Sequence, residues 1–193
     1  MAKRESTFLN MVVTLFLVTG IAAASLGFVY EFTKGPIAEA KAKAQAEAIT
    51  QVLPEFDELG ESFKTLVEEG DDSLEFFQAY KNGELIGTAI KTYTKNGFSG
   101  LITIMTGIDT NGNFSGYAIL EHEETPGLGS KMDSWFNNPT KPNQYVIGKN
   151  PETTNFEVTK DGGEIDAITA STITSRAFLE ALNRAYSSYQ EQR

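Results

Sequence analysis

Residues 74–121 read LEFFQAYKNGELIGTAIKTYTKNGFSGLITIMTGIDTNGNFSGYAILE, and this stretch decides the fold. Runs rich in Phe, Tyr, Ile and Thr are interrupted by three Asn-Gly pairs, at Asn82-Gly83, Asn96-Gly97 and Asn111-Gly112. β-branched and aromatic residues suit a pleated, half-buried surface, and Asn-Gly tolerates the positive φ that a tight hairpin requires. The pattern predicts strands over 74–80, 84–94, 101–108 and 114–121, with turns at the Asn-Gly pairs. Strands this close in sequence pair as a mostly antiparallel sheet.

Working outward, 174–191 predicts a helix with Ala177, Phe178, Ala181, Leu182 and Tyr186 on one face. Between sheet and helix, 132–160 reads as loops and one short helix, with Trp135-Phe136 as a buried aromatic pair or the wall of a ligand site. On the other side, 55–75 is acidic and weakly patterned, with a turn expected at Glu69-Gly70-Asp71-Asp72. Before it, the alanine-rich run 37–53 predicts a helix opened by Pro36 and closed by Pro54. It serves either as a stalk or as a packing face for a neighbour. Helices around a meander make the fold class α+β.

The N-terminus is of another kind. Residues 8–30 read FLNMVVTLFLVTGIAAASLGFVY, 23 residues without a charge. As a helix they span about 34 Å, enough to cross a hydrocarbon core of about 30 Å. Thr14 and Thr19 can return their hydroxyls to the backbone. Lys3 and Arg4 precede the span, so the positive-inside rule puts the N-terminus in the cytoplasm and the remainder outside. A cleaved signal peptide is the rival, with Ala22-Ala23-Ala24-Ser25 as the cleavage region, but the apolar run is longer than a signal core and continues past it. Two domains are therefore expected: 1–35, a cytoplasmic tip and single transmembrane helix, and 36–193, an exported domain.

Composition removes whole classes of chemistry. The 193 residues contain no cysteine and one histidine, His122, which excludes disulfides, thiolate metal sites and multi-histidine metal sites. The formal charge is −10, and residues 1–30 are net +1, so the exported part carries −11. Such a surface is unsuited to nucleic acid. With 40% apolar and 11% aromatic residues the chain can build a core. No catalytic triad, metal set or phosphate P-loop is present, so no independent catalytic site is expected.

Two segments carry chemistry. The first is Glu121-His122-Glu123-Glu124-Thr125-Pro126-Gly127-Leu128-Gly129-Ser130-Lys131, a glycine-rich turn after a strand. Gly127 and Gly129 allow positive φ and close approach of a ligand, although a plain polar turn explains the same residues. The second is Asp166-Ala167-Ile168-Thr169-Ala170-Ser171-Thr172-Ile173-Thr174-Ser175, with five hydroxyl residues in seven positions at a helix start. Capping uses one or two of these hydroxyls; an anion on the helix N-terminus would account for the rest.

Taken together, these segments resemble the FMN-binding subunits of membrane redox complexes, most closely the family of G subunits of the Rnf electron-transport complex. The C subunit of the sodium-pumping NADH:quinone oxidoreductase is the next most similar. The resemblance runs nearly end to end, from the single span to the last helix. It implies an FMN-binding domain with FMN joined through its phosphate to a threonine by a separate flavin transferase. The family motif is Asp, two residues, Ser or Thr, usually Gly-Ala, then the acceptor. Here Asp166 and Thr169 match, Ala170-Ser171 replaces Gly-Ala, and Thr172 falls on the acceptor, with Thr174 the fallback. Ser171, Thr174 and Ser175, with His122, Glu124, Thr125, Gly127, Leu128 and Gly129, are the further FMN contacts it implies. The function implied is an electron-transfer subunit of an ion-translocating ferredoxin:NAD oxidoreductase complex, partnered by its other subunits and held in the cell membrane by one helix. A membrane-anchored assembly module without redox role, or an FMN-domain subunit of another exported reductase, are the alternatives.

Overall fold

The computed structural model describes residues 7–66 and 73–192; the turn expected at 69–72 lies outside them. The chain divides into two compact units, 1–43 and 44–193. Helix α1 runs from Phe8 to Val52 without a break, and Pro36 lies inside it. The helix start expected at Pro36 is therefore absent. Proline removes one helical hydrogen bond, a local loss of about 3 kcal/mol. The alanine-rich residues beyond it and the apolar run before it both favour helix strongly enough to continue through.

In the first unit every described residue from 7 to 32 is exposed, including Leu15, Phe16, Ile21, Leu26 and Phe28. The most apolar window of α1 has a mean hydropathy of 2.3. So continuous an apolar surface belongs in lipid, and α1 is long and apolar enough to cross a bilayer. Thr14 and Thr19 donate to the carbonyls of Asn10 and Leu15 at 2.7 and 2.8 Å, which hides their hydroxyls from hydrocarbon.

The second unit is built on a six-stranded antiparallel sheet. Its strands are β1 (Glu58–Leu59), β2 (Phe63–Leu66), β3 (Ser73–Lys81), β4 (Glu84–Gly97), β5 (Gly100–Asp109) and β6 (Phe114–His122). β3 through β6 form a meander, and β1 and β2 both pair with the outer edge of β3. Helix α2 (Met132–Trp135) is short, and α3 (Thr172–Glu191) is the long C-terminal helix.

Strand periodicity sorts the core. Phe76, Ile90, Ile104 and Ile108 join Phe178, Leu182 and Tyr186 of α3 in one apolar cluster. Phe77, Ala79, Ala89 and Met105 join Ala48, Ile49, Val52 and Leu53 in a second. Alternate residues along each strand thus serve the two clusters. Contact with the end of α1 needs glycine: a Cβ on Gly107 would press on the Val52 carbonyl, and one on its cross-strand partner Gly116 would stand 2.9 Å from the Val52 Cα. Phe136 is fully buried and stacked on Phe178 at 4.4 Å. Trp135 is partly buried, and its Nε1–H donates to the Asp166 carbonyl at 2.9 Å. The pair is core and brace.

Two turns differ in how they meet expectation. Asn82-Gly83, with φ of 52° and 80°, is the hairpin turn expected. Asn96-Gly97, by contrast, remains in β4, and the chain reverses one step later at Phe98-Ser99. Gly100, with φ of 104°, supplies the positive angle there.

Candidate functional site

Topology brings three segments to one end of the sheet. α3 lies antiparallel to β4: the Thr92 hydroxyl donates to the Ala181 carbonyl at 3.0 Å, and Asn96 Nδ2 donates to Glu180 at 2.7 Å. At the far end the Tyr189 hydroxyl donates to the Asp109 carbonyl at 3.2 Å. The N-terminus of α3 therefore sits at the β4–β5 hairpin tip. β6 ends at His122, paired with Ile102 of β5, so the segment that follows emerges beside the same tip.

These segments enclose a cavity of about 290 Å³ lined by Phe98, Glu124, Thr125, Leu128, Gly129 and residues 170–174. That is close to the lower end of small-molecule sites, roughly 300–1,000 Å³. Of the residues expected from sequence, Glu124, Thr125, Leu128, Gly129, Ser171, Thr172 and Thr174 line it; His122, Gly127, Asp166, Thr169 and Ser175 do not. Phe98, Ala170 and Ile173 line it as well and were not expected. The signal for Phe98 was its place between Gly97 and Gly100, obscured by taking Asn96-Gly97 as the turn.

Glu124 is the centre of the arrangement. It is buried, and its Oε1 accepts the Ser99 N–H at 3.0 Å while Oε2 accepts the Thr174 hydroxyl at 2.5 Å. Its own N–H donates to His122 Nδ1 at 3.1 Å, so His122 supports the turn from behind. Gly97 and Gly129 close on the carboxylate from two sides: a Cβ on Gly97 would stand 2.8 Å from Oε1, and one on Gly129 would press on Oε2. One side chain thus ties the hairpin tip, the glycine-rich turn and the first turn of α3.

The five hydroxyls divide by role. Ser175 Oγ accepts the Ile168 N–H and donates to the Ser171 carbonyl, both at 2.9 Å, and Thr174 is held by Glu124. Ser171 stands at the N-cap but its side chain makes no capping bond, so the first-turn amides are left without one. Thr172, half-buried and first in α3, has a hydroxyl with no hydrogen-bond partner among the described residues. Ala170, two residues before it, has a φ of 63°, where glycine is the unstrained residue. Asp166 is pinned through its backbone, its N–H donating to the Asn143 carbonyl at 2.7 Å.

Phe98, Leu128 and Ile173 bring exposed apolar side chains to the cavity, and the start of α3 brings uncapped amides and a spare hydroxyl. That set fits a ligand with a flat apolar body and a phosphate tail. The sequence pattern of the FMN-binding domain family matches residues 97–187, from the hairpin tip to the body of α3. The G subunit of the ion-translocating oxidoreductase complex of Aliivibrio fischeri is 33% identical over 95% of this chain and 91% of that protein.

The chain belongs to the family of G subunits of ion-translocating oxidoreductase complexes. Two further members share nearly the full length. The G subunit of the Na(+)-translocating ferredoxin:NAD(+) oxidoreductase complex of Acetobacterium woodii is 31% identical over 91% of this chain and 88% of that protein. The G subunit from Methanosarcina acetivorans is 30% identical over 94% and 95%. For a G subunit the cavity has a natural reading: the FMN-binding domain match begins at Gly97, against the Glu124 carboxylate, and includes every residue of the cavity wall.

Proposed function

We propose that the chain is the electron-transfer subunit of an Rnf-type ferredoxin:NAD oxidoreductase complex, carrying FMN through a phosphoester on Thr172. The observation that carries this is the Thr172 side chain: a hydroxyl without a partner among the described residues, on the cavity wall, at a helix start whose amides lack a cap. Those amides and the positive end of the α3 dipole would hold the phosphate. Phe98, Leu128 and Ile173 would pack on the ring system. Bound there, FMN would supply the redox chemistry, and the protein would orient it.

In forming the ester, the Thr172 Oγ loses its proton and bonds to phosphorus. A flavin transferase would supply an activated flavin phosphate and carry off the leaving group. Asp166 and Thr169, both outside the cavity, fit a role in recognition by that enzyme. The domain would stand outside the cytoplasm, with the other subunits of the complex as electron donor and acceptor. A linked cofactor suits that location, because lost FMN is not readily replaced there.

The test is flavin fluorescence of the denatured protein after electrophoresis, made in a host with the transferase, with peptide masses across 161–176. Thr172→Ala is expected to lose the fluorescence entirely, Thr172→Ser to retain part of it, and Asp166→Ala to reduce it. Full fluorescence in Thr172→Ala would overturn the assignment.

A further inference from the structure

The structure points to a second role for Glu124: we infer that its carboxylate sets the reduction potential of the flavin by holding a negative charge in the cavity wall. The inference rests on the FMN reading but not on the covalent bond. Glu124 lines the cavity and is only 4% exposed. Both oxygens are hydrogen-bonded, Oε1 to the Ser99 N–H and Oε2 to the Thr174 hydroxyl, so a carboxylate is satisfied there without a cation. Among the described residues no lysine, arginine or histidine forms an ion pair with it. Gly97 and Gly129 lie so close to the carboxylate that a Cβ on either would press on one of its oxygens, so the absence of side chains there makes its place.

A brace alone does not require a charge. A neutral amide could link the same two groups, with the Thr174 hydroxyl turned to accept, and a carboxylate withdrawn from water without a counter-ion is costly. Its electrostatic effect is what an amide could not supply. A charge there acts through a medium of low dielectric, where it is weakly screened. When the flavin takes up two electrons from a low-potential donor, its proton uptake at neutral pH need not match them. The reduced ring then carries excess negative charge, which a fixed anion opposes. Glu124 therefore holds the potential low and favours passing electrons on over retaining them.

Glu124→Gln separates charge from bracing. Its amide oxygen can accept the Ser99 N–H, and its NH₂ can donate to a rotated Thr174 hydroxyl. The measurements are a dye-coupled redox titration of the purified full-length protein, with dithionite as reductant, and the unfolding temperature of the flavin-free form. Glu124→Gln is expected to shift the redox equilibrium about tenfold toward the reduced flavin, near +30 mV for a two-electron couple, with the unfolding temperature little changed. Glu124→Asp keeps the charge and shortens the brace, so it should lose stability while its potential stays near that of the parent. An unchanged potential in Glu124→Gln overturns the inference. So does failure of either variant to hold flavin, because the residue would then serve assembly instead. A parent protein that holds no flavin would defeat the FMN reading itself.

Discussion

Ala170 sits where its backbone would favour glycine. At φ of 63° its Cβ crowds the chain, a cost of about 1–2 kcal/mol, partly offset because glycine loses more freedom on folding. Ala170→Gly should therefore raise stability by up to about 1 kcal/mol, read as a higher urea midpoint in detergent, and leave flavin attachment intact. Thr174 is the instructive neighbour. From sequence it is a capping candidate, worth about 1 kcal/mol. Its hydroxyl instead serves Glu124, so Thr174→Ala removes a charge-assisted bond and should cost about 1.5–3 kcal/mol while the phosphoester survives. Thermal unfolding beside the fluorescence assay reads both outcomes. Glu124 itself was legible as a polar residue in a glycine-rich turn. Its burial was not, because the residues that bury it, Gly97 and Ser99, arrive from another hairpin.

Among the elements, the four meander strands were legible because period-two burial and Asn-Gly turns are local signals. β1 and β2 were not. They are short, exposed at most positions and defined by pairing with β3, which no local pattern records. The end of α1 is held against β5 and β6 by two glycines that admit the Val52 backbone. Gly107→Ala should push the two apart and destabilise the domain by about 1–3 kcal/mol, the usual cost of overpacking, as measured by urea unfolding. Tyr117 of β6 works the other way, reaching from the sheet to donate to the Met132 carbonyl at 2.7 Å. Burial pushes its phenol well above the ordinary value of about 10. Because the folded value is the raised one, this contribution is complete below about pH 10 and fades as pH rises beyond it. Tyr117→Phe should cost about 1 kcal/mol near neutrality, yet lose less than the parent between about pH 8 and pH 11 in urea midpoints.

At the scale of the whole molecule, one apolar helix precedes a domain rich in carboxylates. A reporter fused after Arg193 should be active only outside the cytoplasm, and the mature chain should keep residues 8–30. A mature N-terminus near Ser25 would sink the anchor and make the protein secreted. The apolar helix was legible, its start at Phe8 included. Its continuation through Pro36 was not, because helix on either side outweighs one missing bond.

The first turn of α3 has a final consequence. A helix start without a side-chain cap is an unfinished end, prone to fray, and on the proposed linkage the phosphate would finish it. Maturation would then be a folding event as well as a chemical one: the unmodified chain should present 169–173 to a protease, and the flavinylated chain should protect it. The modifying enzyme would meet an open end and leave behind a closed one, so the product would no longer look like the substrate.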